Sequence, residues 1–229
     1  MVLSDRDIKL AKNEGRIIIE PYDESQLTSC AYDVRLGHNV IRSRSQQRWN
    51  AVCNISTGLS WLYHFVLSFW NTPTNPWEST YDYWGVPEKP VSRNGVLGFI
   101  VQPGELLLGH TVEYIGSTRG SELTTMMKAR SSIGRIGLTV CACAGLGDVA
   151  YFSIWCMEIK NHSDTAIFLP VGVRVAQIVF MHAKGAEQNY TDKGRYQNND
   201  NLKDVIHNWT PTSLYPRLYL SKDYPSILR

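Results

Sequence analysis

The sequence predicts a mainly β fold, a barrel or distorted sandwich opened by one short helix, and three observations carry that prediction. Short runs rich in β-branched and aromatic residues recur from Arg16 onward, clusters of Gly, Pro, Asn, Asp and Ser separate them, and a helical period is confined to the N-terminus. With 229 residues and 43% hydrophobic content, a single sizeable domain around one core accommodates the chain.

Ser4 followed by Asp7 forms a capping-box pattern, and Ile8, Leu10 and Ala11 ahead of Gly15 describe a short helix ended by a glycine. The runs RIIIE, AYDVRLG, GFIVQPGELLLGHTVEYI, GLTVCACAG, YFSIWCMEIK, TAIFLP and RVAQIVFMH then read as strands. Many short strands at this spacing close into a barrel or pack as a sandwich. From about residue 43 to 95 the pattern breaks into an aromatic-rich insertion, with Trp49, Trp61, Trp70, Trp77 and Trp84 among Pro73, Pro76 and Pro87. So many rings are costly to leave in water, so the insertion is expected to pack on the domain or on a neighbouring subunit, with ligand stacking as the alternative. After Gly185 the chain turns polar, and residues 186–229 are expected to form an arm that orders over a ligand.

A formal charge of +2, from 23 basic and 21 acidic residues, gives no broad footprint for nucleic acid, so anion binding must be local and a small phosphorylated ligand fits better. The N-terminal MVLSDRDIKLAKNEGR lacks an apolar stretch, which reads as an intracellular, cytoplasmic location. Leu59 to Trp70 is the most apolar run, but it is short and carries His64 and Ser68, so it reads as core or interface and no membrane association is expected. The five cysteines are odd in number and spread along the chain, which reads as buried thiols in a reducing compartment. Cys141 and Cys143 would share one face of a strand, and no neighbouring Cys or His completes a zinc set.

The chemistry concentrates between Met127 and Lys160. Arg130, Ser131, Ser132, Gly134 and Arg135 combine small residues, hydroxyls and guanidinium groups, which suits a phosphate grip and equally describes a solvated turn. Glu158 stands in an apolar strand in line with Phe152, Ile154 and Cys156. Lost hydration there favours a proton-exchanging carboxylate, and a buried ion pair, with Arg135 for example, is the rival reading. Asp148, in the Ala-Gly-Leu-Gly-Asp turn, is either a turn former or an acceptor for a sugar hydroxyl, beside glycines that permit close approach by a ligand.

In order and spacing, the segments LSDRDI, EGRIIIEP, YDVRLG, VQPGELLLGHTVEYI, KARSSIGRIGL, CAGLGD, CMEI, GVRVAQIVF and GRYQNN resemble the dCTP deaminase branch of the trimeric dUTPase-like superfamily. The resemblance covers most of the chain outside the aromatic insertion. It implies a dUTPase-like distorted β-barrel and a homotrimer whose active sites draw on neighbouring subunits. Arg130, Ser131, Ser132, Ile133, Gly134 and Arg135 would hold the triphosphate, with Ser131 placing the attacking water. Asp148 would hold the sugar, Glu158 would be the catalytic carboxylate and Arg135 would orient it. Main chain at Cys143, Ala144, Cys156 and Met157 would read the base, and Gln177 would contact the ligand. Tyr190, Arg195 and Asn199 match the family's closing tyrosine, lysine and glutamine, with two of the three replaced. The turn also departs from the usual Asp-Pro-Gly-aromatic pattern, reading Asp148-Val149-Ala150-Tyr151.

The implied reaction is hydrolytic deamination of dCTP to dUTP and ammonia, in dUTP biosynthesis. Mg²⁺ would arrive on the triphosphate with no dedicated protein ligands, and no zinc is expected, because the His-x-Glu and Pro-Cys-x-x-Cys pattern of zinc deaminases is lacking. Two rivals stand beside it: a dUTP diphosphatase or bifunctional enzyme yielding dUMP, for which Gly145 after Ala144 speaks, and a non-catalytic nucleotide-binding module. Feedback by dTTP is a further family property the resemblance raises.

Overall fold

A computed structural model describes residues 1–44, 83–142 and 144–220. Helix α1 (Asp5–Asn13) begins at the capping box foreseen from sequence: the Asp7 N–H donates to Ser4 Oγ at 3.2 Å and the Ser4 N–H to Asp7 Oδ2 at 3.3 Å. Ile8 and Ala11 bury its inner face, and Gly15, at φ 71°, turns the chain into the first strand.

Strands β1 (Ile17–Glu20), β2 (Tyr32–Arg35), β3 (Val40–Ser43), β4 (Trp84–Glu88), β5 (Val91–Arg93), β6 (Val96–Val101), β7 (Leu106–Ser117) and β8 (Leu123–Ala129) precede a short helix α2 (Ser131–Arg135). Strands β9 (Leu138–Thr139), β10 (Leu146–Gly147), β11 (Phe152–Asn161), β12 (Ile167–Pro170) and β13 (Arg174–His182) follow, then helices α3 (Tyr190–Lys193) and α4 (Leu202–Asn208). The largest sheet runs β4-β3-β7-β11-β9 with β1 also on β7, a second runs β10-β8-β13-β2, and a third runs β12-β6-β5. Among the described residues every strand pair is antiparallel.

One main core fills the space between the sheets, with Tyr32, Leu36, Leu107, Ile115, Leu123, Met127 and Phe180 wholly buried. A second, smaller cluster joins Ile41, Trp84 and Leu108 to Leu214 and Tyr215 of the C-terminal segment. Each such buried side chain contributes about 1.5–3 kcal/mol of hydrophobic stabilisation, enough for the small cluster to fasten the segment to the sheet.

These contacts bear on four readings of the sequence. The end of the expected insertion is not loop: residues 84–93 form strands, β4 paired with β3 and β5 with β6; Trp49, Trp61, Trp70, Trp77 and the apolar run 59–70 lie outside the described residues. The arm turns apolar beyond its polar start: Leu214 and Tyr215 are buried, and the Tyr215 hydroxyl donates to the Gly85 carbonyl at 2.6 Å. GLTVCACAG yields only the short β9, because its pairing with β11 ends at Thr139. Of the cysteines, Cys30 is exposed and Cys141 and Cys156 are half-buried, while Cys53 and Cys143 lie outside the described residues.

Candidate active site

Strand β11 carries the carboxylate foreseen from sequence. Its pairing with β7 holds on both sides of an irregularity at Trp155, where β7 makes an excursion through Thr111–Glu113 and the Trp155 N–H donates to Thr111 Oγ1 at 2.9 Å. The alternation of β11 sends Met157 and Ile159 into the main core, so Cys156 and Glu158 face the other way.

That other face opens on a cavity of about 730 Å³. Ala144, Asp148, Cys156 and Glu158 line it from the sheet, and Tyr190, Arg195 and Asn199 line it from the tail. Glu158 is half-buried, and its Oε2 accepts from the Ala142 N–H at 3.1 Å. The buried ion pair with Arg135 does not form: among the described residues Glu158 has no ion-pair partner, and Arg135 lies exposed on α2. Burial, with the Glu158 carboxylate beside it, pushes the Cys156 thiol far up, so this cysteine stays protonated. Burial likewise raises the Tyr151 and Tyr190 hydroxyls, whose rings meet edge to face at 4.9 Å between centroids.

The glycines around Asp148 are required by the chain's own packing. A Cβ at Gly147 would stand 2.3 Å from Thr125 Oγ1 and 2.6 Å from the Trp155 ring, and one at Gly145 would meet the Met127 carbonyl oxygen at 2.8 Å. Asp148 is exposed at the cavity's edge.

The other half of the expected site is elsewhere. Arg130, Ser131, Ser132, Ile133, Gly134 and Arg135 do not line the cavity within one protomer. Ile133 anchors α2 in the main core, whereas Ser131, Ser132 and Arg135 point to solvent. Arg130 is tied down: its Nε lies 3.1 Å from Oδ2 of Asp33, a carboxylate 2% exposed that Arg174 also approaches at 3.5 Å. Met157 belongs to the core, Gln177 sits within β13 facing Asp33 and Lys128 in register, and neither lines the cavity. Cys143 lies outside the described residues.

Sequence reasoning missed the cavity's apolar wall, where Trp84, Leu108, Trp209 and Leu214 come together. Trp209 packs against the buried His110 ring, with centroids 4.8 Å apart. No local signal joins these residues, since their contacts span most of the chain. Gln197 also lines the cavity and is 5% exposed; it stands inside the quoted GRYQNN segment, and that motif was its only signal.

Comparison with known proteins gives the family and the fold. A family model described as dCTP deaminase-like matches residues 2–183. The dUMP-forming dCTP deaminase of Hathewaya histolytica is 29% identical over 90% of this chain and 96% of its own length. The dCTP deaminase of Halorubrum lacusprofundi is 30% identical over 87% of this chain and 88% of its own. Among solved structures, 2'-deoxycytidine 5'-triphosphate deaminase from Agrobacterium tumefaciens superposes with a TM-score of 0.50 at 17% identity, over 78% of this chain and 47% of that one. The fold is the expected dUTPase-like β architecture. With that family model matching most of its length, the chain belongs to the dCTP deaminase-like family.

Proposed function

We propose that the protein hydrolyses dCTP to dUTP and ammonia, with Glu158 as the proton-transferring group. The observation that supports this most is the meeting of Glu158, Asp148 and the tail residues Tyr190, Arg195 and Asn199 around one cavity, from three separate parts of the chain. Water attacks the pyrimidine C4 as Glu158 takes one of its protons and passes it to the ring N3; the remaining proton of the new C4 hydroxyl is then transferred to the amino group as the C4–N4 bond breaks, leaving the C4 carbonyl and ammonia. The Ala142 N–H holds one carboxylate oxygen, which fixes the orientation of Glu158 and leaves its second oxygen for the water. Asp148 accepts from the deoxyribose hydroxyl, and Mg²⁺ enters as part of the substrate complex, carried on the triphosphate.

In this reading a neighbouring subunit supplies Arg130, Ser131, Ser132 and Arg135 to the cavity, within a homotrimer. Two features support that assembly: the exposed guanidinium and hydroxyls of α2, and the exposed apolar Ile136 and Leu146 flanking the two halves, at 50% and 61% exposure. Binding of dTTP at the same cavity would give feedback control.

A second reading, deamination followed by pyrophosphate release to give dUMP, is favoured by Gly145. The Met127 carbonyl and Cys141 Sγ leave no room for a side chain there, at 2.8 and 2.9 Å from an added Cβ, and relatives named as dUMP-forming are as similar as those that are not. Incubation with dCTP and Mg²⁺, separating dCTP, dUTP and dUMP, decides: dUTP supports the first reading, dUMP the second, and unchanged dCTP defeats both. Replacing Glu158 by Gln should lower ammonia release by about 10²–10⁴-fold while nucleotide binding persists.

A further inference from the structure

The Asp148–Tyr151 turn carries a strained residue. The Tyr151 N–H donates to the Asp148 carbonyl at 3.0 Å, closing a β-turn whose third residue, Ala150, has φ 70°. That left-handed position favours glycine, because an alanine Cβ crowds the following carbonyl. Something must hold Ala150 there. From one side the Ser117 hydroxyl accepts from the Ala150 N–H at 3.1 Å, and the turn seats on Gly116, where a Cβ would lie 2.0 Å from the Tyr151 oxygen.

From the other side the tail holds it. Gln197 Oε1 accepts from the Phe152 N–H at 2.8 Å, and its Nε2 donates to the Asn199 carbonyl at 2.9 Å and reaches the Ala150 carbonyl at 3.5 Å. The Tyr190 N–H donates to the Val149 carbonyl at 2.7 Å. The tail therefore bonds to residues 149, 150 and 152, on both flanks of the strained alanine and next to Asp148. A buried amide with all these partners is costly to leave half-satisfied, so tail and turn dock together.

We infer that Gln197 is a positioning residue that couples docking of the tail to the placement of Asp148 against the substrate's sugar. This rests on the deaminase reading above and adds to it a residue outside the expected tyrosine, lysine and glutamine closure. With the tail docked, the turn is held in its strained form and Asp148 faces the cavity. When the tail lifts, Ala150 relaxes and Asp148 leaves its place.

The test uses Gln197→Ala alone and combined with Ala150→Gly, which removes the strain that the clamp opposes. Gln197→Ala should raise KM for dCTP on the order of tenfold, the loss of roughly one hydrogen-bonded contact. Adding Ala150→Gly should recover most of that loss. Unchanged KM in Gln197→Ala overturns the inference, and so does a loss that Ala150→Gly leaves untouched, which would mark Gln197 as merely structural. A second readout is independent of turnover: trypsin should cleave after Lys193 and Arg195 several-fold faster in Gln197→Ala than in the unaltered protein. If the unaltered protein converts no dCTP, the deaminase reading fails, and proteolysis alone judges the clamp: faster cleavage upholds it and equal cleavage overturns it.

Discussion

Arg130–Arg135 and Asp148–Glu158 are neighbours in sequence, and both read as parts of one site. In the folded chain the second lines the cavity with the tail, while the first forms a short helix whose serines and terminal arginine face solvent. Physically the two segments are held in different ways. Strand β11 is paired with β7 along its length, so Glu158 has its position set by the sheet's register. Helix α2 is fixed at Ile133 in the core and at Arg130 on Asp33, and these anchors leave its remaining polar groups directed outward. Under the proposed trimer, the first segment would serve a neighbouring subunit's cavity.

The largest effect that could break this comparison is subunit complementation. Glu158→Gln and Arg135→Ala should each be nearly inactive alone, yet a refolded equal mixture should regain roughly a quarter of full activity, since each site would take one residue from each of two subunits. A mixture that stays inactive would place both residues in one subunit's site.

Next in size is the tail's anchor. Leu214→Ala removes a side chain 4% exposed from the small cluster with Ile41, Trp84 and Leu108, at a cost of about 2–4 kcal/mol. Hydrogen exchange should show the loss concentrated in the C-terminal segment, and loss spread evenly through the main core would contradict the two-core description.

The smallest effect concerns Asp33, which ties Arg130 to its own protomer. Burial raises the Asp33 carboxyl above its usual 3.8, with Arg130 and then Arg174 pulling it back. A raised folded-state value means that its stabilising share is fully present below the usual value and is lost as pH rises through the folded one. The stability of the unaltered protein relative to Asp33→Asn should therefore fall in denaturant titrations as pH rises from below the usual 3.8 through the raised folded-state range. A gap that widens over that range would reverse the assignment.

Much of this molecule was legible in the chain. The capping box at Ser4 and Asp7, most strand runs, and the placing of Cys156 and Glu158 on one face follow from local periodicity and short-range hydrogen bonding, which sequence records directly. The strand at the end of the aromatic stretch was hidden because Trp84 reads as one more aromatic there, and only its pairing with Ser43 makes it a strand residue. The tail misled for the opposite reason: its polar start conceals Leu214 and Tyr215, which find apolar partners in β3, β4 and β7.

What the sequence determined by itself was the inventory: a strand with one carboxylate, a turn with one aspartate, a cationic hydroxyl-rich segment, and a tail with a tyrosine, an arginine and an asparagine. Tertiary structure decided which of these share a cavity, that Trp84, Leu108, Trp209 and Leu214 form its wall, and that Ala150 is held at positive φ beneath Gln197. The physical reason is range. Turns, caps and alternation are fixed within a few residues, whereas a cavity is made by contacts between distant segments that no local pattern encodes.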